Sequence, residues 1–155
     1  MKANKYAIIL LIVMGIISTQ SCKKESGNNV INISKHNSTK STGMSGNCMN
    51  CHKSGGTGDG WFSIAGTIFD SGLINPSPNG TVIIYDGPNG AGNMIATIEV
   101  DASGNFFTTE SVDFSGGIYP SVISTSGQSS YMSASVNTGD CNSCHGITVD
   151  RIFVN

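Results

Sequence analysis

The sequence predicts an all-β fold, a small antiparallel β-sandwich with a cysteine-bearing segment at either end, on three observations. Charged residues make up only 12% of the 155 residues, 20 are glycine, and Ser, Thr and Asn fill most of the remainder, a balance suited to turn-rich β-structure and not to a helical bundle. From Trp61 onward, short runs of β-branched and aromatic residues alternate with Gly, Asn and Pro turn signals at the spacing of a sandwich. In one such run Ile95, Thr97 and Glu99 alternate with Ala96, Ile98 and Val100, and the second set is apolar enough to face a core. The length allows one domain and excludes a large multi-domain catalyst. A net charge of −2 offers no basic surface for nucleic acid, which is not an expected partner.

Residues 1–21 read as an export signal: Lys2 and Lys5 supply positive charge, and Tyr6 to Ile17 form an apolar run too short to span a bilayer as an anchor. The run ends in Ser18-Thr19-Gln20-Ser21-Cys22. This box resembles the cleavage site of bacterial lipoproteins, with Ser21 suitably small and Thr19 and Gln20 departing from the usual residues. The resemblance implies that Cys22 becomes the first mature residue and carries a lipid. The product is then an exported lipoprotein tethered to an envelope membrane, facing the periplasm or the cell surface. A plain signal peptide with Cys22 unmodified is the alternative. Residues 22–44, rich in Ser, Thr, Asn and Lys, are expected to be a flexible tether.

Setting Cys22 aside, four of the five cysteines fall into two matching motifs, Cys48-Met49-Asn50-Cys51-His52 and Cys141-Asn142-Ser143-Cys144-His145. Cys-x-x-Cys-His is the attachment sequence for c-type haem. Two thiols at this spacing form thioethers to the porphyrin vinyl groups, and the following imidazole reaches the iron from the same side. Disulfides suit an exported protein and four thiols suit structural zinc, but neither accounts for a histidine after each pair in a chain with 3 histidines. A thioredoxin-like motif needs a βαβ setting, which the surrounding Gly, Ser and Asn do not provide. The expected cofactors are therefore two covalently bound haems, with Cys48, Cys51, Cys141 and Cys144 as thioether sites and His52 and His145 as iron ligands. Gly46-Asn47 before one motif matches Gly139-Asp140 before the other, and each glycine is expected to let the backbone bend beneath a porphyrin.

These motifs define residues 45–60 as a first haem-binding segment and 138–155 as a second, with a sandwich at 61–137. Residues Lys53 to Gly60 read as a flexible glycine-rich connector, because a phosphate-cradling loop would need a following Gly-Lys-Ser or Gly-Lys-Thr and a helix. Strands are expected near Phe62 to Phe69, Thr81 to Tyr85, Met94 to Val100, Asn105 to Phe114, Ile118 to Thr125 and Tyr131 to Val136. Asn75-Pro76, Asp86-Gly87-Pro88-Asn89-Gly90 and Ser103-Gly104-Asn105 mark turns. Six antiparallel strands would return the chain to the end where it entered and bring the haem segments together. A seventh would separate them. The stretch Gly80 to Asp86, followed by Ala96 to Asp101 and Gly104-Asn105-Phe106, resembles carboxypeptidase-regulatory-like or prealbumin-like β-sandwich modules, which implies a spacer or adhesion role.

His52 and His145 leave His36 as the remaining imidazole, so bis-histidine ligation at both irons is impossible within one chain. Met132 and His36 are the candidate sixth ligands; a methionine ligand would raise the potential. Each has a plain alternative, Met132 as core and His36 as a solvated tether residue. Met44 sits close in sequence to its own motif, and Met94 follows the apolar strand pattern. Trp61, Phe62 and Tyr131 are candidates for covering porphyrin edges.

Together, Cys22 and the two motifs resemble the dihaem and multihaem cytochrome c lipoproteins of bacterial envelopes. That resemblance implies outer-sphere electron transfer with a redox protein partner or a neighbouring haem, and no enzymatic activity. No Ser-His-Asp arrangement or paired-acid motif is evident. A haem enzyme or gas sensor with an open iron site, or a surface-binding β-sandwich module, are the alternatives.

Overall fold

The computed structural model describes residues 29–42 and 46–154. The export signal 1–21, Cys22 and Met44 lie outside them. Eight strands are formed: β1 Ile64–Phe69, β2 Thr81–Tyr85, β3 Met94–Glu99, β4 Asn105–Thr108, β5 Tyr119–Ile123, β6 Ser129–Tyr131, β7 Gly139–Asp140 and β8 Ile152–Phe153. Among the described residues no helix is long and apolar enough to cross a membrane.

One sheet runs β3-β2-β5-β6 and is antiparallel throughout. In the other, β4 pairs antiparallel with one edge of β1. The opposite edge of β1 takes two short parallel partners, β7 against Ile64 and Ala65 and β8 against Ile68 and Phe69. Both sheets feed one core: Ile64, Ile68 and Phe106 from the first meet Val82, Ile84, Ile98 and Val122 from the second, with Val100, Ile118 and Val154 closing it. The face of β3 expected to be internal is the buried one, with Ile98 at 2% exposure against Ile95 at 41%.

The fold is thus all-β with two facing sheets, and the first, second, third and fifth strands lie where the sequence places them, while the fourth, expected over Asn105 to Phe114, ends at Thr108. Three further details differ. The sixth strand ends at Tyr131 instead of beginning there, because the chain then leaves β5 and only Val136 returns, to bridge Ile118. β7 and β8 are additional and parallel; at two residues each they are too short to show any alternation. Residues 29–42 do not hang free as a tether. They form a polar strap on the outer edge of β4, where Ser34 N donates to Phe107 O (2.9 Å), Phe107 N donates to Ser34 Oγ (2.9 Å) and Asn32 N donates to Thr109 Oγ1 (3.0 Å). An uncovered edge strand presents unpaired N–H and C=O groups, and the strap satisfies them.

Between β7 and β8 the chain departs on an excursion, residues 141–151, which would orphan the middle of β1. The Asn142 side chain fills the gap. Its Oδ1 accepts from Thr67 N (3.2 Å), while its Nδ2 donates to Gly46 O (2.8 Å) and Thr67 Oγ1 (3.3 Å). The bonding continues inward: Thr67 Oγ1 donates to Asn105 Oδ1 (2.7 Å), Asn105 Nδ2 to Ser41 Oγ (2.8 Å), and Ser41 Oγ to the Asp101 carboxylate. Thr67, Asp101, Asn105 and Asn142 are all buried, so each of these bonds counts at low dielectric.

Replacing Asn142 by Ala orphans the buried Thr67 N–H and removes the bond to the Gly46 carbonyl. The expected loss is roughly 2–4 kcal/mol, read as a lower urea midpoint with unchanged slope. Asn50→Ala, at the exposed position inside the first motif, is expected to stay within about 0.5 kcal/mol of wild type.

Candidate cofactor-binding site

The two Cys-x-x-Cys-His motifs adopt the same local geometry. Each opens on a 3-10 turn, Cys48–Asn50 and Cys141–Ser143. In the first, Cys51 N and His52 N donate to Cys48 O at 3.2 and 3.0 Å; in the second, Cys144 N and His145 N donate to Cys141 O at 3.3 and 3.0 Å. One turn thereby gathers two thiols and an imidazole on a few residues of backbone. Asn47 caps the first turn by accepting from Met49 N (2.9 Å).

The imidazoles are oriented alike. His52 Nδ1 lies 2.9 Å from Asp59 O, and His145 Nδ1 lies 2.7 Å from Asp150 O. A carbonyl only accepts, so each Nδ1 carries the proton and each neutral ring keeps its lone pair on Nε2. This outer bond on Nδ1 is what fixes tautomer and direction in a metal-binding histidine. The His52 ring is also clamped: Phe62 stacks on it at 4.0 Å and 8°, Phe107 stacks on Phe62 at 4.7 Å and 19°, and a Cβ at Gly58 would fall 2.7 Å from His52 Nδ1. The Lys53–Gly60 stretch is therefore no slack connector. It folds back on the motif, with Gly58 N donating to Cys51 O (2.9 Å).

The motifs are also joined to each other. Asn47 Nδ2 donates to Asp140 Oδ2 (2.9 Å), and Asn142 Nδ2 donates to Gly46 O (2.8 Å). The residues that matched in sequence as flanks are thus hydrogen-bonded in space. The glycine of the second flank has a cause nearer than any porphyrin: a Cβ at Gly139 would run into the Ser63 carbonyl oxygen and Ile64, so β7 reaches β1 only as glycine.

A largely apolar cavity of about 580 Å³ adjoins the second motif, lined among others by Cys141, Cys144, His145, Val136, Tyr131 and Met132. That volume lies within the range of cofactor pockets. Met132, one of the two sixth-ligand candidates, is thus brought to the same cavity as His145. His36 is placed otherwise. Its Nε2 lies 2.8 Å from Gly80 O, so the proton is on Nε2, and Nδ1 faces Glu99 Oε2 at 3.9 Å. Nε2, the nitrogen that the motif histidines do not use on a carbonyl, is here spent on backbone at the edge of the second sheet. Met94 is 62% exposed. Tyr131 lines the cavity and Phe62 stacks on a motif histidine, while Trp61 is half-buried.

Burial pushes the Cys141 thiol up to about 12 from an ordinary 9.0, with Asp140 and Cys48 adding to the rise. The Cys48 thiol is also raised, again chiefly by burial, with a backbone hydrogen bond partly offsetting it. All four motif cysteines are free thiols. Among the described residues no group of three or more His, Cys, Asp or Glu side chains is placed to hold a metal ion, whereas structural zinc needs four such donors together. The residues that sequence reading missed are Asn142, Asp59, Asp150 and Gly58. The first and last sit inside or just after a motif, but their roles depend on partners distant in the chain or on backbone atoms, which no residue pattern displays.

Comparison with protein-family models, curated proteins and solved structures finds no match to this chain.

The Cys141 shift has a measurable consequence. Its folded value lies above the unfolded one, so the contribution of the buried neutral thiol is complete below about pH 9 and is lost as pH rises toward 12. Thermal unfolding of the haem-free chain is expected to move to lower temperature over that interval more steeply than in Cys141→Ala. Parallel curves would count against the burial of this thiol.

Proposed function

We propose that this chain is a dihaem c-type cytochrome that transfers electrons in the bacterial cell envelope. The observation that carries the reading is the duplicated site: two Cys-x-x-Cys-His turns of equal geometry, each with imidazole Nδ1 bonded to a carbonyl and Nε2 left as the ligand atom. Disulfide exchange has no use for that histidine orientation, whereas metal ligation does, and among the described residues no set of three or more donors is gathered for a zinc ion.

On this reading Cys48 and Cys51 hold one haem with His52, and Cys141 and Cys144 hold the other with His145. Bound there, haem supplies a one-electron iron couple. The chain's own part is threefold. The Asp59 and Asp150 carbonyls hold the imidazoles, the Asn47–Asp140 and Asn142–Gly46 bonds keep the segments side by side, and the largely apolar wall of the second cavity offers surface for a porphyrin face. Adjacent attachment points favour electron exchange within one molecule, followed by outer-sphere exchange with a redox protein or the haem of a neighbour. The Cys22 lipid would hold this unit at a membrane, with the sandwich as its rigid support.

Material matured in a haem-attaching host is expected to carry two haems per chain by pyridine haemochrome assay and intact mass, and Cys141→Ala/Cys144→Ala one. A colourless wild-type product would end the proposal. Met132 is assigned as the second ligand on the iron held by His145, on the strength of their common cavity. Met132→Ala is therefore expected to keep both haems and to gain one high-spin centre that binds carbon monoxide when reduced. Optical spectra indistinguishable from wild type would remove Met132 from the ligand set.

A second reading has one observation in its favour. With His36 Nε2 committed to Gly80 O, the iron at His52 lacks a histidine partner unless that bond is broken, and an open position there suits a gas sensor or haem enzyme. Carbon monoxide binding by the reduced wild-type protein would support it.

A further inference from the structure

The strap along the outer edge of β4 begins with two exposed apolar residues, Val30 at 46% and Ile31 at 87%. The residues on either side of the pair are fixed to the body of the fold. Asn29 Oδ1 accepts from Trp61 N (3.3 Å) and Asn32 Nδ2 donates to Asp59 O (2.9 Å). Gly60 is buried so closely against the strap that an added Cβ would fall 2.8 Å from Val30 O. The pair therefore stands beside Trp61, the single tryptophan of the chain. Asp59 O also holds His52 Nδ1 at 2.9 Å, so one carbonyl positions both the strap and the imidazole of the first motif.

The length of the preceding chain sets what this edge can reach. Residues 23–28 alone separate Cys22 from Asn29, and the span from one to the other is at most about 25 Å when fully extended. A body of this size is about 35 Å across, so a lipid at Cys22 keeps the start of the strap close to the bilayer. We propose that Val30, Ile31 and Trp61 form a lipid-contacting edge that seats the domain on the membrane surface, with the Asp59–Trp61 turn and hence the first motif on the membrane side. The inference rests on the reading of Cys22 as lipidated and adds the surface that orients the protein once it is anchored. Aliphatic side chains enter the headgroup boundary by the hydrophobic effect, and an indole, apolar with one N–H, suits the same boundary. Asp59 and Glu110, the exposed ionic groups on the turns that hold Asn32, are acidic. The contact is therefore apolar and not an attraction to anionic headgroups. Other exposed apolar residues lie away from the tether: Val149 lines the second cavity, Ile147 the smaller one beyond it, and Met94 and Ile95 belong to β3.

The test uses the full lipidated chain in vesicles of phosphatidylcholine that carry a photoactivatable diazirine at the headgroup end of the acyl chain, with attachment sites read by mass spectrometry. Cross-links are expected at Val30, Ile31 and Trp61, in yields insensitive to salt. Val30→Ser/Ile31→Ser changes two exposed positions and is expected to keep the wild-type urea midpoint and to stay anchored. Its cross-links at residues 30, 31 and 61 are expected to fall by about tenfold or more. Cross-links confined to another face, spread evenly over the surface, or unchanged in the double variant would overturn the proposal, while an intact mass showing a lipidated Cys22 leaves the anchor standing. An intact mass with Cys22 unmodified would instead fail the anchor reading, and the seat with it.

Discussion

The exposed length of β1 between its two short parallel partners sets the terms for the whole molecule. A backbone strand buried on both faces cannot leave a donor unpaired without a penalty of about 1–3 kcal/mol, yet the chain leaves that edge at Cys141 and rejoins it at Ile152. The Asn142 amide resolves this by acting as a piece of backbone, accepting from Thr67 N and passing its own N–H to Gly46 O. Any excursion is tolerable at a sheet edge if one side chain can complete the ladder. Here the excursion carries the second Cys-x-x-Cys-His motif, and the carbonyl that takes the remaining donor belongs to the flank of the first. Sheet completion and motif pairing are therefore one interaction.

Equal turns do not make equal sites. Cys141 lies against β1 and Cys48 beside it is less deeply placed, which is why burial shifts the first thiol further. His145 borders an apolar cavity with Met132, whereas His52 is held in an aromatic stack ending on β4 through Phe62 and Phe107. A cofactor at the second motif would sit in a lower dielectric than one at the first. Low dielectric disfavours the more highly charged oxidised state, and a thioether ligand acts in the same direction. On the dihaem reading proposed above, two centres of unequal potential side by side would give a direction to electron flow, which two identical exposed centres would not.

Much of this was legible in the residues. Alternation at Ile95 to Val100 picked the buried face of β3, and the turn signals located the first five strands, though not the early end of the fourth at Thr108. The cysteine spacing located both candidate sites, and the matched Gly-Asn and Gly-Asp flanks hinted at shared geometry, though not that they bond to each other. What could not be read were interactions between residues far apart in sequence. Two-residue strands carry no period, and an asparagine between two cysteines looks like filler. The polar composition of residues 29–42 suggests a solvated tether, yet the same hydroxyls and amides are what an edge strand needs for cover. The adjacency expected from six antiparallel strands does arise, but by another route: two parallel segments on β1 return the chain to Asn47 and Gly46.

The three histidines separate by the nitrogen each spends on backbone. His52 and His145 each spend Nδ1–H on a carbonyl of a following loop, five to seven residues on, and so aim Nε2 away from their own backbone. His36 spends Nε2–H on Gly80 O and turns Nδ1 toward Glu99, whose carboxylate is held down chiefly by the His36 backbone N–H, with Lys35 contributing. Its ring thus serves as a clip between strap and sheet. To ligate an iron it would have to give up its hydrogen bond to the Gly80 carbonyl and turn away from Glu99. A methionine already facing the second cavity pays no such penalty. The three imidazoles thus divide: two hold Nδ1 on a carbonyl beside a pair of thiols, and one spends Nε2 on the edge of the second sheet.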